Sequence, residues 1–161
     1  MASVSKQFTA MAIMLLEAEG KIAAADSVRK YIPELPEYAE KISIRHLLHH
    51  QGGLPDYEEI CGTEDKPMVN KEVVDFLAAT RRPIFAAGSR YRYSNSGYVV
   101  LSEIVSRASG KLFADFMRER IFQPAGMQNT FILNPGSLKR YRKNPVQGHY
   151  EEWTDRPYEF S

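Results

Sequence analysis

Apolar residues recur at helical spacing along much of the chain. Residues 8–16 are apolar almost all round, the pattern of a helix that is buried within a domain rather than lying on its surface. The segment that ends at Gly110 carries its apolar side chains on one face, which predicts an amphipathic helix with a glycine at its C-terminus. Further amphipathic helices are predicted at residues 71–80, with Asn70 as the N-cap, and at residues 111–122.

The segments between these helices predict short helices and turns. Residues 26–31 fit a short helix, and Ser43 fits the N-cap of a helix over residues 44–50. Residues 52–67 are rich in Gly, Pro, Asp and Glu and predict a surface loop. Residues 131–133 are the best strand candidate. The whole pattern therefore predicts a mainly α fold.

The composition is that of a globular domain. The chain has 161 residues, of which 43% are hydrophobic and 25% charged, enough to build a single core. The net charge of +1 gives no reason to expect a nucleic-acid partner. The apolar run at residues 8–16 is too short to span a membrane and lacks the flanking features of a signal peptide, so localisation stays open between export and the cytoplasm. The single cysteine, Cys61, excludes an intrachain disulfide.

Ser3 and Lys6 are the first candidates for catalytic chemistry. A spacing of three places both on one face of a helical turn. A serine hydroxyl is a weak nucleophile, and an adjacent lysine or a tyrosine phenolate can activate it by taking its proton. Ser27 and Lys30 share this spacing, but Ser27 also fits a helix cap. The alternative for Ser3 is likewise that it only caps the helix and that Lys6 is solvated.

Tyr93 and Asn95 form the second candidate element. Side chains two apart in an extended loop point the same way, so the phenol could relay a proton while the amide binds a substrate carbonyl in the same cleft. The alternative is that the serines on either side of Asn95 supply only N-cap chemistry and that Tyr93 only packs.

Three histidines, His46, His49 and His50, raise the possibility of a metal site. No glutamate lies between them in a metalloprotease pattern and no third ligand is evident, which favours histidines that are hydrogen-bonded and shape the loop below a cleft. We expect neither a metal nor a cofactor.

Four stretches carry a resemblance to a known family, at residues 2–10, 44–57, 88–98 and 121–127. In this order they resemble the nucleophile helix, the leucine-histidine-glycine loop, the tyrosine-x-asparagine stretch and the proline-glycine-methionine turn of the serine β-lactamase and penicillin-binding protein superfamily, in its class C β-lactamase-like branch of D-aminopeptidases, D,D-peptidases and esterases. The resemblance implies that Ser3 is the nucleophile and that Lys6 and Tyr93 handle its proton. It implies that Asn95 contacts the substrate.

The resemblance also implies a function. We expect a serine hydrolase or acyl transferase that acts on β-lactams, D-amino-acid peptides or esters through an acyl-serine intermediate. The alternative is a helical fragment that folds or self-associates without turnover.

The chain departs from the family pattern in three places. Gly52 stands where a serine is usual, and Ala87 where a proline is expected; both look tolerable. The family's third element, a lysine- or histidine-led triad ending in glycine, is missing, and with it the second oxyanion donor, whose loss typically costs about 2.7–4 kcal/mol. We therefore interpret residues 1–161 as one partial domain, the helical half of an α+β fold with little of its sheet. It would comprise a nucleophile helix at residues 1–19, a helical region at residues 20–135 and a tail at residues 136–161.

Overall fold

The structure is a computed structural model that describes residues 2–61 and 68–132. Its contacts divide the chain into a unit Met1–Phe131, which holds all the helices of the described residues, and a unit Ile132–Ser161, of which only Ile132 is described. The α-helices are α1 (Lys6–Ala18), α2 (Ile44–Leu48), α3 (Tyr57–Cys61), α4 (Asn70–Ala78), α5 (Asn95–Ser109) and α6 (Phe113–Met117). Three 3₁₀ turns lie at Ala2–Ser5, Val28–Lys30 and Glu37–Lys41, and a π-helical turn at Arg118–Phe122 continues α6.

Helix α5 is the centre of the first unit. It contacts α1, α2, α3, α4 and α6. Its periodic apolar face is fully buried at Val100, Leu101, Ile104 and Val105. Gly110 ends the helix in the left-handed conformation at φ 68°, as the sequence predicts. Because α5 packs against five other helices, these contacts fix the position of its N-terminus and of Asn95, its first residue.

Helix α1 is buried on one side only. Ala12, Ile13 and Leu16 face the core, whereas Met11 and Met14 are 46% and 61% exposed. The expectation that this helix is buried all round is therefore wrong within the described residues. The buried positions follow the i, i+1, i+4 spacing of a single face against α5.

The loop predicted over residues 52–67 is not a surface loop in its first part. Gly52 to Asp56 are buried, and α3 follows at once; residues 62–67 lie outside the described residues. Backbone hydrogen bonds join this loop to the segment before α5, from Ile84 N–H to the Gly53 carbonyl, from Gly88 N–H to the Gln51 carbonyl and from Arg92 N–H to the His50 carbonyl, each at 2.9 Å. Long-range pairing thus buries residues whose composition is typical of a loop.

Three further local predictions have different outcomes, one confirmed in part and two wrong. Ser43 caps α2, its Oγ accepting from His46 N–H at 3.2 Å, as predicted, but α2 ends at Leu48. The helix predicted at residues 26–31 is a single 3₁₀ turn. Asn70 is not the cap of α4, because it is the first residue of the helix and Val69 is at the N-cap position. The Asn70 Nδ2 donates instead to Ser102 Oγ on α5 at 2.9 Å.

The C-terminal elements differ from the sequence pattern as well. The helix predicted over residues 111–122 is divided between α6 and the π-helical turn. Phe131 and Ile132 belong to no strand, and Leu133 lies outside the described residues. Of the helices described, none has both the length and the apolar character needed to cross a membrane.

Candidate active site

Ser3 and Lys6 lie side by side at the start of α1. Ser3 belongs to the 3₁₀ turn that leads into the helix, and Lys6 is the first residue of the helix itself. Lys6 Nζ donates a hydrogen bond to Ser3 Oγ at 3.2 Å. Ser3 is exposed and Lys6 half-buried. The serine is therefore open to an incoming substrate while the lysine behind it is partly shielded from water.

The loop before α5 delivers Tyr93 and Asn95 to the same pair. The Tyr93 hydroxyl donates to Ser3 Oγ at 2.5 Å. Asn95, the first residue of α5, accepts from Lys6 Nζ through its Oδ1 at 2.7 Å. The structure thus brings the four residues singled out from the sequence into one hydrogen-bonded cluster, across 89 to 90 positions of chain.

Two tyrosines at this site are shifted in opposite directions. Burial alone would raise the pKa of Tyr93, but its interaction with Lys6 and its hydrogen bond with Ser3 outweigh burial, and the pKa is lowered. Lys6 Nζ lies 4.8 Å from the centre of the Tyr93 ring. Burial raises the pKa of Tyr57 to about 12, and the Glu58 carboxylate acts in the same direction. Tyr93 is therefore the phenol suited to give up a proton, and Tyr57 the one suited to keep it.

His50 supports Tyr93 from behind. The imidazole stacks on the Tyr93 ring with centroids 4.6 Å apart, and its Nδ1 accepts from Ser94 N–H at 3.1 Å. Burial, followed by the charge of Lys6, lowers the pKa of His50. A neutral imidazole at this place matches the accepting role of Nδ1, which ties His50 to the backbone of the loop that carries Tyr93.

Two carboxylates at the site were not singled out from the sequence. Asp56 is only 6% exposed and accepts from the backbone N–H of Asn95 at 2.6 Å. Glu58 accepts from Asn95 Nδ2 at 2.7 Å and from the Tyr57 hydroxyl at 3.1 Å. A sequence signal existed, because Asp56 directly precedes a short helix and fits an N-cap, but nothing local indicates that α5 lies beside it.

Ser27 and Lys30, which share the spacing of Ser3 and Lys6, have structural roles instead. Ser27 Oγ accepts from Arg29 N–H at 3.3 Å as a cap, and Lys30 pairs with Asp26 at 2.9 Å. Ser3, by contrast, makes no cap, and the residue at the N-cap position of α1 is Ser5. Across residues 2–61 and 68–132, no group of three His, Cys, Asp or Glu side chains is placed to hold a metal ion.

Residues 1–160 match the Beta-lactamase family, and the chain belongs to that family. The described helices accordingly form the helical region of the β-lactamase and penicillin-binding-protein fold. The crystal structure of a penicillin-binding protein from Bacillus halodurans superposes with a TM-score of 0.75 and 29% identity, covering 91% of this chain and 45% of that one.

Two relatives of known type align with most of the chain. Penicillin-binding protein 4* of Bacillus subtilis (strain 168) is 41% identical over 138 residues, which are 83% of this chain and 30% of the relative. A D-aminopeptidase of Brucella anthropi is 31% identical over 141 residues, which are 84% of this chain and 26% of the relative. The chain thus spans less than a third of the length of either relative.

Proposed function

We propose that the chain carries the acylation site of a serine hydrolase that works through an acyl-Ser3 intermediate. The observation that carries the proposal is that Ser3 Oγ is hydrogen-bonded to both Lys6 Nζ and the Tyr93 hydroxyl. A nucleophile in contact with its base, and a base oriented by a further charged group, is the arrangement that activated serines require.

The steps follow from these contacts. Ser3 Oγ attacks the substrate carbonyl carbon, and its proton passes to the Tyr93 phenolate, which the neighbouring Lys6 cation favours. The bond from the carbonyl to the leaving nitrogen or oxygen then breaks, and Tyr93 returns the proton to the leaving group. Water, activated by the same phenolate, attacks the acyl-Ser3 ester, and Ser3 recovers its proton.

Asn95 is the proposed substrate contact. Its Oδ1 is occupied by Lys6, so the amide is held in one orientation with Nδ2 directed to Glu58. A substrate carbonyl that approaches Ser3 can take the Nδ2 hydrogen bond from Glu58 or share it.

We further propose that the substrate carries a primary ammonium group next to the scissile carbonyl. The Glu58 carboxylate is half-buried. It accepts from Asn95 Nδ2 while Lys6 Nζ donates to Asn95 Oδ1, so the Asn95 amide bridges the two charged groups. Charge-assisted hydrogen bonds to such a carboxylate favour a cationic ligand. The D-aminopeptidase relative is named for a substrate of this class, so D-amino-acid amides and short peptides with a free amine take precedence over β-lactams and simple esters.

A covalent label tests the nucleophile. The longest natural polypeptide that contains these residues is treated with a fluorophosphonate. An activated serine oxygen attacks its phosphorus and displaces fluoride, and the resulting phosphonyl adduct is located by peptide mapping. We expect a single adduct on Ser3 that is lost in Ser3→Ala and retained in the matched control Ser27→Ala. An adduct on Ser27, or no adduct on the wild type, contradicts the proposal.

The substrate class is tested with a pair of D-alanine p-nitroanilides, one with a free amine and one N-acetylated. In Glu58→Gln we expect kcat/KM to fall about tenfold or more for the free amine and to change little for the acetylated compound, because only the first presents a cation to the carboxylate. An equal change for both compounds contradicts the role of Glu58 but leaves Ser3 acylation standing.

The proposed partners are a small-molecule or peptide substrate and a second copy of the chain. Met11 and Met14 are exposed on the outer side of α1, and Val4 is exposed in the 3₁₀ turn before it. Exposed apolar side chains that lie together tend to find a partner surface.

A further inference from the structure

We infer that Asp56 is a positioning residue for acylation and that it acts by fixing the backbone from which Asn95 and Glu58 extend. The inference rests on the function proposed above. Asp56 lies on the loop just before α3, touches neither Ser3 nor Lys6 among the contacts of the described residues, and has its side chain almost completely buried.

The Asp56 carboxylate caps two helices at once. Its Oδ2 accepts from the N–H groups of Asn95 and Ser96, the first two residues of α5, at 2.6 and 3.4 Å. Its Oδ1 accepts from Glu58 N–H in the first turn of α3 at 3.2 Å. One side chain therefore ties the start of α3 to the start of α5.

The capping contacts satisfy the N-terminal donors of α5. The first N–H groups of a helix have no partner inside it, and they carry the positive end of its dipole. Here Asp56 accepts from the first two, and Ser94 Oγ accepts from Gly97 N–H at 3.1 Å. A second bond across the junction runs from Tyr57 N–H to the buried Ser96 Oγ at 2.9 Å. The junction is thus a built unit that fixes where α3 and α5 meet.

Asp56 binds the N-terminal backbone of both α3 and α5, and these two helix starts carry Glu58 and Asn95, whose side chains contact each other. Asn95 Nδ2 donates to Glu58 Oε2 at 2.7 Å, and Asn95 Oδ1 accepts from Lys6 at 2.7 Å. If the start of α5 shifts, the Asn95 amide moves with it and Lys6 loses a fixed partner beside Ser3. Because misplacement by about 1 Å can cost a hundredfold in rate, the effect of Asp56 reaches the reaction through Asn95.

An asparagine at position 56 separates this role from simple volume filling. The Asp56→Asn side chain has the same shape, but its amide nitrogen is a donor and one of the three N–H groups then faces another donor. We expect the second-order rate at which a fluorophosphonate phosphonylates Ser3 to fall about 10–100-fold, the range typical of groups that orient functional residues. Asp26→Asn is the matched control, because Asp26 also accepts a backbone N–H, from Ala23 at 2.9 Å, in a turn that makes no hydrogen bond to Ser3, Lys6 or Asn95 among the described contacts.

A double-mutant cycle distinguishes positioning from stability. Acylation rates and thermal midpoints are measured for Asp56→Asn, Asn95→Ala and the double variant. We expect the rate effects to be far less than additive, since Asp56 acts through Asn95, while Asp26→Asn lowers the thermal midpoint without slowing acylation. If Asp56→Asn does not fold, Asp56→Ser, which keeps a side-chain oxygen suited to a cap, is measured in its place with the same expectation.

The outcomes are separable. Wild-type rates in a folded Asp56→Asn protein, or rate effects that add, overturn the inference and leave the proposed function intact. No Ser3 adduct on the wild type overturns both.

Discussion

At the scale of single residues, the site depends on how burial and neighbouring charge act on chemically identical groups. Burial acts to raise the pKa of both Tyr93 and Tyr57, but Lys6 and Ser3 outweigh it at Tyr93, whereas the Glu58 carboxylate adds to it at Tyr57, so the two pKa values move apart. The residues at positions 3, 6, 93 and 95 could be selected from the sequence because two motifs occur together within stretches that resemble one family, whereas the Ser-x-x-Lys spacing alone also fits Ser27 and Lys30. The direction of the tyrosine shifts depends on three-dimensional neighbours and could not.

The proton relay should behave as a unit. We expect Lys6→Ala and Tyr93→Phe each to slow acylation of Ser3 by about 10²–10⁴-fold, the usual contribution of a positioned acid or base. The double variant should be little slower than either single one, because each loss already breaks the path of the serine proton. Stopped-flow acylation of the four proteins measures this. Near-normal acylation in both single variants would mean that the two residues serve only packing.

His50 predicts a pH dependence of stability. Its pKa in the folded chain is lowered below the ordinary 6.5 by burial and then by Lys6, so the unfolded chain binds this proton first as the pH falls. The free energy of unfolding should therefore decrease as pH drops through 6.5 and level off below the folded pKa. Urea unfolding between neutral and mildly acidic pH should give a smaller decrease in His50→Gln, whereas the exposed His49→Gln control keeps it. An unchanged pH dependence in His50→Gln contradicts this assignment.

At the scale of elements, the longer helices α1, α4 and α5 could be predicted because their information is local. The apolar spacing and the glycine stop of α5 lie within its own residues, and the structure has the helix where the pattern places it. The errors concern segments whose partners are distant in sequence. Asp56 and the buried loop before it depend on backbone bonds to residues 84–92, and Asn70 turns from its expected cap to a serine on α5. Composition alone describes such segments as exposed, because it carries no information on what packs against them.

Gly53 is the position at which this loop pairing can be broken most directly. It adopts φ +70°, and a Cβ there would lie 2.2 Å from the Phe85 carbonyl oxygen. We expect Gly53→Ala to cost about 2–5 kcal/mol, from left-handed strain together with overpacking. Gly20→Ala is the matched control, because Gly20 has φ +69° with nothing within 4 Å of the added carbon, and strain alone should cost about 1–2 kcal/mol.

The comparison is made by urea unfolding and Ser3 labelling. Gly53→Ala should lose labelling more than Gly20→Ala at temperatures where both remain folded, since the loop also holds His50 behind Tyr93. Equal losses of stability in the two variants would show that the close approach to Phe85 is relieved without disturbing the site.

At the scale of the whole molecule, one helix serves both the chemistry and the surface. The first residues of α1 hold Lys6 beside Ser3, its inner face packs on α5, and its outer face presents methionines to solvent. A face of flexible, polarizable side chains adapts readily to another apolar surface. Any contact made by this face would therefore lie close to the candidate site.

The last prediction is that the 161-residue chain self-associates through the outer face of α1 and turns over activated esters slowly. Burial of exposed apolar side chains favours association, and two copies that use the same patch form a closed dimer. Light scattering should give a mass above the 18.4 kDa of one chain, rising with concentration. Replacing Met11 and Met14 by lysine should shift the mass to that of the monomer. Leu112→Lys should leave the mass unchanged, because Leu112 is an apolar residue that is 74% exposed but lies next to α6, not on α1. Slow turnover is expected because no lysine- or histidine-led triad ending in glycine lies between Tyr98 and Ser161 to supply a second oxyanion donor. A monomer at all concentrations together with brisk, Ser3-dependent hydrolysis would contradict both parts, and would show that one copy of this chain holds everything the reaction needs.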